Sequence, residues 1–231
     1  MAQYDAWERE YRNSKLLTKD ADPQKDTLRF IKFLKKDAGI RPERVRVLDI
    51  GSGTGRNGNH FASLGADVVG LEISDTAVRI ARERAGKENV RAEYFKHDIG
   101  SPYPLDDESF DIAIDVTSSN SLLGSERDVY LREAHRVLKS DPDSGYFFVK
   151  TLCKDSDENA KALLKKSPGP EIDTYRMPEL GLVERVWSRK DFEEFYGQLF
   201  EIIHLEKKES YTRLNNRSYK RMFWIAYMQK K

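Results

Sequence analysis

Val47-Leu-Asp-Ile-Gly-Ser-Gly-Thr-Gly55 decides how the rest of the chain is read. The apolar run Val45–Ile50 stops abruptly at glycines 51, 53 and 55. That pattern suits a buried parallel strand feeding a tight turn and then a helix. Glycine permits the turn and lets a ligand approach the backbone closely. The free N–H groups at the start of the next helix favour an anionic group there. Glu72 closes the following strand about 20 residues after Gly53, the spacing at which a carboxylate reaches a ribose diol in a nucleotide-binding βαβ unit.

Working outward, apolar runs at Asp67–Leu71, Val90–Phe95, Phe110–Val116 and Gly145–Leu152 read as further strands. Helical patterns lie between them: Asn57–Leu64, a helix capped by Ser74 and running to about Ala85, and one opened by Ser125-Glu-Arg-Asp128 as a capping box. In the last, Tyr130, Leu131, Ala134, Val137 and Leu138 share one face. Strand and helix thus alternate from 45 to 152, which predicts a doubly wound α/β domain with a mostly parallel sheet. Residues 1–44 read as one or two short helices, with Leu28, Ile31 and Leu34 at helical spacing beside Phe30 and Phe33. The stretch 154–187 breaks the rhythm and holds a short helix around Glu158–Leu164. Ser188-Arg-Lys-Asp191 reads as a second capping box. Phe200–Glu206 and Arg221–Met228 look like two strands, with 207–219 as a linker too short for a helical crossover, so they are expected antiparallel. Residues 1–231 are read as one domain: a helical N-terminal lid or extension (1–44), a cofactor-binding core (45–152), a substrate-side insertion (154–187) and the end of the sheet (188–231).

Composition narrows the classes. Hydrophobic residues make up 39% and charged residues 34%, which suits a globular core under a solvated surface and argues against a disordered chain. Forty basic and 39 acidic residues give a formal charge of +1, so no global field draws nucleic acid or membrane. The longest apolar run, Met222–Met228, is far short of a membrane span, and the charged, aromatic start lacks a secretory h-region. Cys153 is the single cysteine, which excludes a disulfide scaffold and a Cys-type zinc site; a cytoplasmic setting and no metal are expected.

Two nucleotides compete for the glycine loop. Gly53-Thr-Gly55-Arg-Asn-Gly58 satisfies the dinucleotide pattern of dehydrogenases, but Asp49 and Gly51 precede it, so the strand would have to run on past Gly51. Asp49-Ile-Gly51-Ser-Gly53-Thr-Gly55 resembles motif I of the class I S-adenosylmethionine-dependent methyltransferases. Glu72-Ile-Ser, His97-Asp-Ile99, Phe110-Asp-Ile-Ala-Ile-Asp115 and Leu131-Arg-Glu-Ala-His-Arg-Val-Leu138 resemble that family's later motifs. The resemblance implies a seven-stranded sheet with the last strand antiparallel. It also implies S-adenosylmethionine as cofactor and S-adenosylhomocysteine as product. Carried over, Gly51, Ser52, Gly53 and Gly55 would cradle the methionine end and Asp49 would orient its amino group. Glu72 would take both ribose hydroxyls. Asp98 would accept from the adenine amino group, with Ile73 and Ile99 on either side of the base. The chain departs from the family at Lys139–Gly145, which replaces a shorter Pro-Gly-Gly turn.

Methyl transfer from a sulfonium asks the protein mainly to align the nucleophile and exclude water. Asp115, at the end of the fourth strand, is the candidate catalytic group. The loop Val116-Thr-Ser-Ser-Asn-Ser121 lacks the Asn/Asp-Pro-Pro-aromatic motif of base-methylating enzymes; Thr117 is a candidate for contacting a polar acceptor, or a member of a Ser/Thr turn. Tyr4, Trp7 and Tyr11, at helical spacing, are candidates for a lid or for plain packing. Tyr175 and Arg176 are candidates to roof the pocket. The expected function is methylation of a small polar molecule by a monomer or homodimer. RNA or protein methylation through residues 206–231, where eight lysines and arginines face only Glu206 and Glu209, stays open, as does a non-catalytic cofactor-binding partner subunit.

Overall fold

The apolar runs pair in parallel, and the sequence alternation within each run decides which helix covers it. In the computed structural model, which describes residues 3–14, 21–214 and 217–231, β1 (Arg46–Ile50) lies between β2 (Asp67–Glu72) and β4 (Ile112–Val116). β3 (Ala92–Lys96) pairs with β2, and β5 (Tyr146–Leu152) with β4, all parallel. β9 (Arg217–Lys230) runs antiparallel to β5 and to β8 (Phe200–Leu214), giving the order β3-β2-β1-β4-β5-β9-β8 in a seven-stranded sheet. β6 (Thr174–Arg176) and β7 (Val183–Arg185) form a separate antiparallel pair inside the insertion.

Successive strand residues point to opposite faces. Leu48 and Ile50 join Phe147, Val149 and the inner faces of α5 (Ser125–Val137) and α7 (Arg189–Tyr196). Val47, Ile112, Ile114 and Phe148 pack on the other side with α2 (Lys25–Lys36) and α3 (Arg56–Ser63). Val47, Leu48 and Ile50 are fully buried, each worth roughly 1.5–3 kcal/mol of transfer free energy. α4 (Asp75–Glu88) covers Tyr94 of β3 through Val78, Ala81 and Ala85. α6 (Glu158–Lys166) follows β5, and α1 (Tyr4–Arg12) lies near α4. Among the described residues no helix is long and apolar enough to cross a membrane.

Ser74 and Ser188 cap as expected, accepting from the amides of Ala77 and Asp191. Three expectations change. Ser125 is the first helical residue rather than the cap; Gly124, at φ 43°, takes the cap position and Glu126 instead accepts from the Leu123 amide at 2.9 Å. The linker 207–219 is mostly strand, because β8 and β9 continue past the sheet as a long hairpin with Lys208 opposite Phe223 and Tyr211 opposite Lys220. Leu28 is exposed; Phe30, Ile31 and Leu34 carry the buried face of α2. The strand order reverses between β1 and β4, so the crevice beyond their C-terminal ends is where a ligand is expected.

Candidate active site

The glycine loop leaves β1 at that crevice. The amides of Gly51 and Ser52 both donate to the Leu71 carbonyl, at 2.8 and 2.9 Å, which ties the loop to β2. Gly51 has φ 70°, and a Cβ there would lie 2.2 Å from that of Ser118, so only glycine fits. Ser118 in turn donates through Oγ to the Ile50 carbonyl at 2.6 Å, locking the loop after β4 against the loop after β1.

Two buried carboxylates face the loop from below. Glu72 accepts from the amides of Gly53 and Ser74, each at 2.9 Å. Asp49 accepts from the Gly58 amide at 3.1 Å. Burial pushes both carboxyls up to about 7, against the pull of these amides; the negative charges of Asp115 and Glu72 add to the rise at Asp49, and that of Glu8 to the rise at Glu72. The Oγ of Ser52 is buried with no partner beside them. Such a set of acceptors suits a ligand that brings an ammonium group and a ribose diol, as a nucleoside bearing an amino acid does.

These groups line one cavity of about 730 Å³. Of the residues singled out in the sequence, Trp7, Tyr11, Asp49, Gly51, Ser52, Gly53, Glu72, Ile73, Asp98, Ile99 and Thr117 line it. Thr117 is held at φ 69°, a strained value for a β-branched residue, with its amide donating to the Lys150 carbonyl at 2.8 Å.

Other candidates lie elsewhere. Asp115 is fully buried and does not line the cavity; its carboxylate accepts from the Ser118 amide at 2.9 Å and the Tyr130 hydroxyl at 2.7 Å, so it holds the loop rather than facing a substrate. Gly55 begins α3, where a Cβ would meet Ala81 and Tyr94 at 2.9 Å; it serves helix packing. Tyr4 reaches outward to Asp75 at 2.7 Å and to Lys96. Tyr175 is buried behind the wall, its hydroxyl donating to Glu184 at 2.5 Å, and Arg176 is exposed beside Gly181.

α1 is strapped across the cavity by polar contacts at its N-terminal end and at its middle. Gln3 donates to the carbonyls of Val183 and Ser121 and accepts from the Val183 amide. Glu8 is buried against the start of α4, where its carboxylate accepts from Ser74 Oγ (2.5 Å), Thr76 Oγ1 (2.7 Å) and the Thr76 amide (3.2 Å), with Arg12 at 2.8 Å. Burial alone would raise this carboxyl; the donors outweigh it and hold it at about 2. The strap places Tyr11 over the loop: a Cβ on Gly53 would lie 2.8 Å from the Tyr11 hydroxyl.

The opposite end of the cavity was not foreseen. Gln24, Asp26, Asn120, Lys150, Lys208 and Arg221 line it. They come from α2, the β4 loop, β5, β8 and β9, so no local motif could have flagged them. Part of the basic hairpin's charge is matched by carboxylates. Lys208 pairs with Asp26, Arg221 with Asp157 at 3.0 Å, Lys220 with Glu209 at 2.6 Å and Lys230 with Glu108 at 3.3 Å.

Residues 47–141 match the family model described as a methyltransferase domain. That match takes in the glycine loop, Glu72 and Asp98, and supports a methyltransferase domain of the S-adenosylmethionine-dependent class I type. The likeness in fold runs well beyond that stretch. A solved SAM-dependent methyltransferase from Methanosarcina mazei superposes with a TM-score of 0.71 at 24% identity, covering 81% of this chain and 93% of that one. Among curated relatives, a ubiquinone biosynthesis O-methyltransferase from Pelagibacter ubique is 29% identical over 126 residues, 54% of this chain and 49% of the relative. A demethylmenaquinone methyltransferase from Tropheryma whipplei is 36% identical over 94 residues, 40% of this chain and 37% of the relative. The chain thus spans half or less of the length of these two relatives.

Proposed function

We propose that this protein transfers a methyl group from S-adenosylmethionine to a small polar molecule. The observation that carries the reading is one cavity whose two ends differ in chemistry. The glycine loop with Asp49, Glu72 and Asp98 lies at one end, and Lys150, Lys208, Asp26 and Asn120 at the other. The names of the two curated relatives support a small-molecule acceptor.

The cofactor would supply a methyl group already activated by the positive charge of its sulfonium. The chain's part is binding and alignment. Glu72, ionised, would accept from both ribose hydroxyls while its amide partners keep it oriented. Asp49 would face the ammonium group, and that charge would return its carboxyl to the ionised form. Asp98 and the apolar Ile73 and Ile99 would hold the base. Trp7 and Tyr11, on a helix pinned at Gln3 and Glu8, would exclude water from the reacting centre. Asp115 is engaged by Ser118 and Tyr130 and keeps the β4 loop in register with the glycine loop. We therefore give it a positioning role.

Calorimetry with S-adenosylhomocysteine and with NAD tests the cofactor, and transfer from methyl-labelled S-adenosylmethionine to a metabolite pool tests the activity. Saturable binding of the former and none of NAD is expected. Equal or tighter NAD binding would overturn the reading.

A further inference from the structure

Asp26 is the only carboxylate that either Lys150 or Lys208 contacts among the described residues, and it serves both. Its Oδ2 accepts from Lys150 Nζ at 2.9 Å and its Oδ1 from Lys208 Nζ. Gln24 Oε1 adds a neutral contact to Lys150 at 3.2 Å. Both lysines and Asp26 line the cavity. Arg29 approaches Asp26 at 3.9 Å but has its own partner, Glu206, at 2.5 Å. Glu209, next on β8, pairs with Lys220 at 2.6 Å. Two ammonium groups therefore share one carboxylate, and the cluster carries one positive charge too many.

That excess sits where it is costly. The Lys150 side chain is only 9% exposed and Asp26 only 6%. Taking a charge out of water costs several kcal/mol unless it is paired. Burial accordingly draws the Lys150 ammonium down, and Asp26 only partly opposes this. The three groups come together by sheet register. Leu152 lies opposite Phe223, and Phe223 opposite Lys208, so Lys208 projects to the same face as Phe223 and, two residues back from Leu152, Lys150. Lys150 Nζ lies 4.8 Å from the centre of the Phe223 ring. Both lysines thus flank an apolar ring on the face covered by α2, beside Thr117 at the end of β4.

Arg221, a further cation of this end, is already matched. Arg221 bonds Asp157 at 3.0 Å and the Tyr175 hydroxyl at 3.0 Å, and Tyr175 leads on to Glu184. An anion is therefore called for at the Asp26 wall and not at the Arg221 wall.

Resting on the methyltransferase reading, we propose that the methyl acceptor carries an anionic group, a carboxylate or a phosphate, seated between Lys150 and Lys208 over the Phe223 ring. The anion completes the pairing of the two lysines and anchors the acceptor away from the acidic cofactor end. Charge-assisted N–H···O contacts of this kind are short and strong. Because Asp49, Glu72 and Asp98 repel an anion at the other end, the same charge pattern sets the acceptor's direction in the cavity.

The test uses the full chain saturated with S-adenosylhomocysteine and two minimal probes, inorganic phosphate and acetate, at ionic strength held constant with chloride. Line broadening of the phosphorus and carbon resonances reads their binding. Saturable binding of at least one probe is expected. Lys208→Met, at a side chain one-third exposed, should weaken it roughly tenfold or more, as loss of one hydrogen bond to a charged group does. Lys150→Met should do the same, and Lys208→Met carries the test if that buried variant does not fold. Lys161→Met, at an exposed lysine, should leave binding unchanged. No saturable binding of either probe, or binding untouched by Lys208→Met, would overturn the proposal. So would a labelled-methyl product whose acceptor is neutral or cationic. Should S-adenosylhomocysteine itself fail to bind, the underlying methyltransferase reading fails first; should it bind while neither anion does, only the anion seat is lost.

Discussion

Glu8→Gln should release the helix that closes the site. α1 has nine residues and would be marginal as a helix by itself, so its docking depends on tertiary contacts. Glu8 supplies several of them, at Ser74 and Thr76, from a position only 5% exposed. Its carboxyl stands at about 2 against an ordinary value of 4.5. A difference of that size corresponds to roughly 3 kcal/mol at 1.36 kcal/mol per pH unit. The amide of glutamine keeps the shape and one acceptor oxygen but loses the charge, so we expect about 2–3 kcal/mol of lost docking energy. Amide exchange across Tyr4–Arg12 should then quicken about 30- to 150-fold, since 1.4 kcal/mol is a factor of ten. Exchange in β1 and β4 should not change. Because Trp7 and Tyr11 ride on the same helix, turnover should fall more than S-adenosylhomocysteine affinity. The pH dependence has a definite sign. The folded value lies below the unfolded one, so the contribution is complete above about pH 4.5 and fades as pH falls towards 2. Unchanged exchange in α1 of Glu8→Gln would show that Gln3 and apolar packing hold the helix and that the carboxylate is incidental.

Three further outcomes follow from the same geometry. Glu72→Ala should weaken S-adenosylhomocysteine binding by roughly 1.5–3 kcal/mol, the worth of hydrogen bonds to a charged group, as read by calorimetry. Binding should strengthen as pH rises through about 7 and level off above it, because Asp49 and Glu72 stand at about 7 before the ligand's cationic and hydroxyl groups favour their ionised forms. Buffers of different ionisation enthalpy would reveal the released protons, and a flat profile from pH 6 to 8 would contradict it. RNA should bind only weakly at physiological salt, because Lys220, Arg221 and Lys230 are each matched by a carboxylate and Lys208 lines the cavity beside Asp26; sub-micromolar filter binding that survives raised salt would revive the nucleic-acid reading.

The acidic, cofactor-facing half of the cavity was legible because its chemistry is local. Gly51, Gly53, Glu72 and Asp98 each sit at or just past a strand end, and hydrophobic runs with period two or unbroken apolar content mark those ends. The doubly wound, mostly parallel character follows from the same alternation, while the strand order and the crevice at the β1/β4 switch came with the fold. Spacing along the chain could not tell an acid at a strand end that faces the crevice from one that turns inward. Glu72 and Asp115 lie at or near the ends of β2 and β4, the two strands that flank β1, yet Tyr130 and Ser118 draw Asp115 away from the cavity. Helical spacing likewise grouped Tyr4 with Trp7 and Tyr11, and only the docking of α1 on Ser74 and Val183 decided that Tyr4 points out. The Lys150–Asp26–Lys208 cluster left no trace in the sequence at all. Asp26 on α2 stands more than a hundred residues from Lys150 on β5 and from Lys208, on a hairpin whose outer half reads as a polar linker. Periodicity reports which face of an element is buried, not which elements meet, so their charges acquire a shared purpose only when the antiparallel register of β9 sets Phe223 between β5 and β8.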